Sequence, residues 1–74
     1  MKTLDKVKVG QTVKIVGYAC ETDRIFRRFL ELGLSRGQEV KVHKTSILNK
    51  VALIEVRGYV LSVRRNLLER VVVE

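Results

Sequence analysis

The spacing of apolar residues changes period along this chain, and each change marks an element. Val7 and Val9, then Val13 and Ile15, alternate with Lys6, Lys8 and Lys14 on either side of Gly10-Gln11. A period of two is the signature of a half-buried strand, so this segment reads as a strand entered through a glycine turn and running to about Tyr18. Gly17 near its end predicts a bulge or a close backbone approach, and Ala19 to Thr22 a short connection. From Asp23 the period becomes helical. Ile25, Phe26, Phe29 and Leu30 recur at helical spacing, Leu32 extends the stripe, and Arg24, Arg27, Arg28 and Glu31 take the other face. Asp23 is placed to cap the helix by accepting from its first free N–H groups. Phe26 and Phe29, both on the stripe, are assigned to the core. Gly33 supplies a left-handed residue just past the helix, and Leu34 then folds back onto Phe29.

A second alternating run opens at Gly37-Gln38. Val40 and Val42 point to one face and Lys41 and His43 to the other, so a strand is expected from Glu39 to about Lys44. Gly10-Gln11-Thr12-Val13-Lys14-Ile15 echoes Gly37-Gln38-Glu39-Val40-Lys41-Val42, as two glycine-launched strands of a barrel would without any duplication. Residues 45–50 carry no pattern and read as an exposed connection around Asn49. With Arg57-Gly58 as a two-residue turn, Val56 faces Tyr59, Ile54 faces Leu61 and Ala52 faces Val63, which puts all six on one sheet face. Leu67 and Leu68 amid charge form a short helical turn, and Val71-Val72-Val73 supplies a last strand that pairs back onto the first. The expected fold is mostly β: a small five-stranded barrel with one inserted amphipathic helix over about 23–33 and a short C-terminal helical turn, one domain over 1–74.

Composition narrows what such a barrel does. The chain has 74 residues, 46% hydrophobic and 31% charged, with no proline. That is the balance of a folded domain with a thin core and little room for a large enzyme pocket. Fifteen basic residues against eight acidic ones give a net charge of +7, a field that attracts nucleic acid, an anionic membrane face or an acidic protein surface. Cys20 stands alone, so no internal disulfide forms, and a reducing cytoplasm fits best. No apolar run suits a signal peptide or a spanning helix.

Candidate chemistry is sparse. His43 is the sole imidazole and lies on the outward face of its strand, where a bystander role is expected. Cys20, Glu21, Asp23 and His43 lack a recognised metal-ligand spacing, and Cys20 reads as a small hydrophobe at a strand end. No phosphate-cradling glycine loop occurs. The expectation is no enzymatic activity, no cofactor and no resident metal. Arg24, Arg27 and Arg28 read first as a solvated helix face; otherwise they would contact phosphates or acidic partners, or Arg27 would pair with Glu31 one turn later. The scarcity of exposed aromatics argues against a single-strand-binding platform.

Three ordered segments carry a family resemblance: RRFLELGLSRG from Arg27 to Gly37, the strand EVKV after it, and IEVRGYVLSVRR from Ile54 to Arg65. Over about Leu4 to Glu74 the chain resembles the FeoA family of small cytoplasmic proteins of bacterial ferrous iron uptake, and the related SH3-like domain of some metal-dependent repressors. The resemblance implies an SH3-like barrel and a non-enzymatic accessory role with FeoB, the membrane ferrous iron transporter with a cytosolic GTP-binding domain. On this basis Arg24, Arg27 and Arg28 with Leu34, Ser35 and Arg36 form the candidate partner-binding surface. Many relatives have a proline-containing loop at Leu48-Asn49-Lys50, and acidic residues with a small alanine at Asn66-Leu67-Leu68, so no partner contact is carried onto either segment. The alternative is a basic SH3-like nucleic-acid-binding module, and a third reading is a ferrous iron carrier using Cys20.

Overall fold

The computed structural model describes residues 2–19, 22–46, 48 and 50–74. Its strands are β1 (Lys2–Thr3), β2 (Thr12–Tyr18), β3 (Glu39–Ser46), β4 (Val51–Val56), β5 (Tyr59–Arg64) and β6 (Val71–Val73), with α1 (Asp23–Glu31) after β2 and α2 (Arg65–Leu68) after β5. They make one antiparallel sheet in the order β1-β6-β2-β3-β4-β5. The C-terminal β6 pairs with β2 as expected, and also with β1. Among the described residues no ladder joins β5 to β1, so these two strands end the sheet.

Among the described residues six strands form rather than five. The additional strand, β1, has only two residues, too few for an alternation to be visible. The stretch after it also differs from the sequence expectation. Leu4–Lys6 is a 3-10 turn, Val7 is buried, Val9 is exposed in a turn, and the strand begins only at Thr12. Leu4 and Val7 plug the core from this irregular segment, so their burial comes from tertiary packing and not from strand alternation.

Elsewhere the register follows the pattern. The pairs Val56–Tyr59, Ile54–Leu61 and Ala52–Val63 form as expected. Arg57 (φ 53°) and Gly58 (φ 83°) both take positive φ, the two-residue turn whose twist matches a hairpin. β2 shifts register against β6 between Ile15 and Gly17, the anticipated bulge. β3 extends two residues beyond the expected end, past a second register shift between Val42 and Lys44. The expected connection around Asn49 is thus shorter, and its residues Ile47 and Asn49 lie outside the described residues.

Helix α1 is capped by Thr22, one residue before the expected Asp23, with the Thr22 hydroxyl accepting from the Ile25 N–H at 3.3 Å. At its other end the Leu34 N–H donates to the Phe29 carbonyl at 2.8 Å and the Gly33 N–H to the Leu30 carbonyl at 3.0 Å. This paired pattern around a left-handed Gly33 (φ 85°) satisfies two carbonyls that the helix leaves open. Leu34 and Phe29 are both fully buried.

The helix buries a narrower stripe than its sequence suggests. At about 100° per residue, Ile25 and Leu32 lie on one flank of Phe29, whereas Phe26 and Leu30 lie on the other. Ile25 and Leu32 pack against the core; Phe26 stays 39% exposed and Leu30 46%. The expectation of Phe26 as a core residue is therefore corrected: a single helix resting on a small barrel buries one ridge.

Candidate functional site

Strand β2 ends at Tyr18, and this side chain joins three elements. Its hydroxyl donates to the Leu34 carbonyl at 2.5 Å. Its ring meets Phe26 edge-on at 5.1 Å and stacks on Phe29 at 5.6 Å with an interplanar angle of 14°. The Arg36 guanidinium lies over its face, 5.9 Å from the centroid. Aromatic pairs of this kind contribute about 0.5–1.5 kcal/mol each beyond their buried area, and an exposed cation–π contact about 0.5–1 kcal/mol. Tyr18 thus fixes α1 and the loop after it to the sheet.

The same loop is held from its other side by Arg57. From the β4–β5 turn, its Nε donates to Gln38 Oε1 at 3.0 Å and its Nη2 to Ser35 Oγ at 3.4 Å. Within the loop the Gln38 N–H donates to the Ser35 carbonyl at 3.1 Å, and the Gly37 N–H to the Ile15 carbonyl at 2.8 Å. A turn so restrained presents Arg36 in a preset position.

The sequence-predicted site residues divide by burial. Arg24, Arg27, Arg28 and Arg36 are exposed, and Ser35 is half-buried. Leu34 is fully buried, so it supports the loop from beneath and offers no contact surface, a correction that follows from its role in the helix stop. Among the described residues the only ion pair within 4.0 Å is His43 with Glu55. Arg27 and Glu31 do not pair, so among the described side chains no carboxylate compensates the arginines of α1. Phe26 and Leu30 border them, so the outward face of α1 combines cations with half-exposed apolar groups. Tyr18 and Arg57 were absent from the sequence-level site. An aromatic closing the strand before the helix was the available signal for Tyr18; nothing local marked Arg57.

His43 Nε2 lies 2.6 Å from Glu55 Oε1 on the exposed face of β3 and β4. Among the described residues no group of three His, Cys, Asp or Glu is placed to hold a metal ion. Cys20 and Glu21 lie outside the described residues. No described helix is long and apolar enough to cross a membrane.

A curled antiparallel sheet with a helix inserted after β2, displaying a cationic and partly apolar helix face, defines a small domain of the SH3-like class. The chain belongs to the FeoA domain family, whose model matches residues 2–74. Among solved structures it is similar to the FeoA protein of Chlorobium tepidum, at 30% identity and a TM-score of 0.85 over 99% of this chain and 69% of that one. The FeoA-like protein of Clostridium acetobutylicum is 26% identical with a TM-score of 0.85, covering 100% of this chain and 88% of that one. The zinc complex of Stenotrophomonas maltophilia FeoA, described as a prokaryotic SH3 domain protein and a candidate ferrous iron transport activating factor, is 27% identical with a TM-score of 0.78 over 100% and 91% of the two chains. A manganese-dependent transcriptional repressor shares the fold, with a TM-score of 0.92 at 14% identity over 35% of its length. No curated protein matches the chain.

Proposed function

We propose that this protein is a non-enzymatic adaptor of bacterial ferrous iron uptake that binds the cytosolic part of the membrane transporter FeoB and modulates transport from the cytoplasm. Membership of the FeoA family ties the chain to ferrous iron transport. The observation that carries the docking reading is the outward face of α1. Among the described side chains Arg24, Arg27 and Arg28 stand there without carboxylate partners, Phe26 and Leu30 are half-exposed beside them, and Arg36 is held nearby over Tyr18. Uncompensated cations around apolar anchors suit a protein surface that is acidic and partly apolar, where the apolar contacts supply affinity and the charges supply orientation and encounter rate.

The test is co-purification of the full chain with the cytosolic part of FeoB. Capture by the wild type and its loss in the Arg24→Glu/Arg28→Glu double variant, with the melting temperature retained, supports docking through α1. Equal capture of both proteins, or unchanged ferrous iron transport in a strain lacking this chain, refutes it. Salt-sensitive RNA binding that saturates at a defined site size would instead favour the nucleic-acid module.

A further inference from the structure

The two ends of the sheet are finished differently. β1 offers two residues, whereas β5 offers six that pair with β4 without a register shift. An open sheet edge presents unpaired N–H and C=O groups, and proteins commonly blunt it by shortening, bulging, or placing proline or charged side chains on it. Tyr59–Arg64 has neither a bulge nor a proline, and its one charged residue, Arg64, stands at the C-terminal end.

The direction of its backbone groups follows from the hairpin. In a two-residue turn the flanking residues exchange both hydrogen bonds, so Val56–Tyr59, Ile54–Leu61 and Ala52–Val63 are the bonded pairs. The Arg65 N–H donates to the Lys50 carbonyl at 2.9 Å, the next pair in that alternation, which confirms the phase. The N–H and C=O groups of Val60, Ser62 and Arg64 therefore point away from β4. Among the described residues no strand covers them, and Tyr59 (72% exposed) and Val60 (56% exposed) leave the edge open to solvent.

Charge selects the occupant. The C-terminal end of β5 borders an open cavity of about 810 Å³ lined by Lys50, Arg64 and Arg65 together with Asp5 and Glu69. Among the described residues neither carboxylate comes within 4.0 Å of a cation, Arg65 Nη2 donating instead to the Asp5 backbone carbonyl at 3.3 Å, and the chain carries a net +7. A second copy would bring the same excess of positive charge to the edge; an acidic chain is drawn to it. We propose that the outer edge of β5 accepts an extended acidic segment of another protein as an added strand, its backbone bonded to Val60, Ser62 and Arg64 and its carboxylates facing Arg64 and Arg65. This surface is additional to α1 and does not depend on the docking proposed there.

The experiment titrates the isotope-labelled full chain with a short synthetic peptide alternating valine with glutamate, and with its lysine-for-glutamate counterpart, while recording amide spectra. The acidic peptide is expected to shift amides of Tyr59–Arg64 and to slow exchange at Val60, Ser62 and Arg64, with affinity falling as salt is raised. Ser62→Pro, which removes an outward N–H and leaves the β4 pairing intact, and Arg64→Glu, which reverses the charge that the carboxylates face, should each weaken binding by about tenfold while the remaining spectrum is retained. Shifts confined to α1, equal binding of both peptides, or peptide-free dimerisation that protects the same β5 amides would overturn the proposal.

Discussion

The Tyr18 hydroxyl donates to the Leu34 backbone carbonyl across sixteen positions of sequence, tying the end of β2 to the residue that stops α1. This bond, with the Phe29 stack, sets where the arginine-bearing helix sits on the barrel. Tyr18→Phe keeps the ring contacts and removes the bond. A net hydrogen bond contributes about 0.5–1.5 kcal/mol, and about 1 kcal/mol displaces the melting temperature of a domain this size by roughly 4–8 °C. Calorimetry should therefore show a lowered melting temperature, and an unaltered one would mean that the bond adds nothing net.

Gly33 adopts φ 85°, and a Cβ there would meet only Val56 Cγ1 at 3.5 Å, an ordinary contact. The cost of substitution is thus conformational rather than steric. Gly33→Val should destabilise by about 1–2 kcal/mol or more through the left-handed backbone. Urea unfolding measures it, and a midpoint equal to the wild type would refute the helix-stop role.

Among the described side chains of α1 Phe29 is the fully buried one, and removing its ring leaves a cavity that the surroundings fill only in part. Phe29→Ala should cost about 3–5 kcal/mol, against a total stability on the order of 5–10 kcal/mol for a chain of this length. A weakly cooperative thermal transition is expected. Retention of wild-type cooperativity would show that the helix is dispensable to the core.

Leu30 contrasts with Phe29 because it lies 46% exposed beside the arginines. Leu30→Ser should change stability by no more than about 1 kcal/mol yet reduce capture of the FeoB cytosolic part. Loss of stability with unchanged capture would assign Leu30 to packing instead of docking.

Thr22 provides the side-chain cap of α1. Thr22→Ala should cost about 1 kcal/mol and speed amide exchange in the first turn of the helix, with the sheet unaffected. Exchange unchanged at Ile25 would show that the hydroxyl does not hold this terminus.

Local pattern determined most of the framework. The β4–β5 register, the Gly33 stop and the Gly17 bulge were legible because backbone geometry imposes each one over a few residues: cross-strand alternation, a positive φ, a register shift. The arginine face of α1 was legible for the same reason, since helical periodicity separates polar from apolar positions. Tertiary structure alone decided which apolar positions are covered. Leu4 and Val7 enter the core from a segment without sustained strand alternation, and Phe26 leaves it because one helix on a small barrel buries a single ridge. It also decided that Arg57 and Tyr18 grip one loop from two sides, and that β5 ends the sheet uncovered. These relationships join positions far apart in the chain, and only the closing of the sheet on its core brings them within hydrogen-bonding reach.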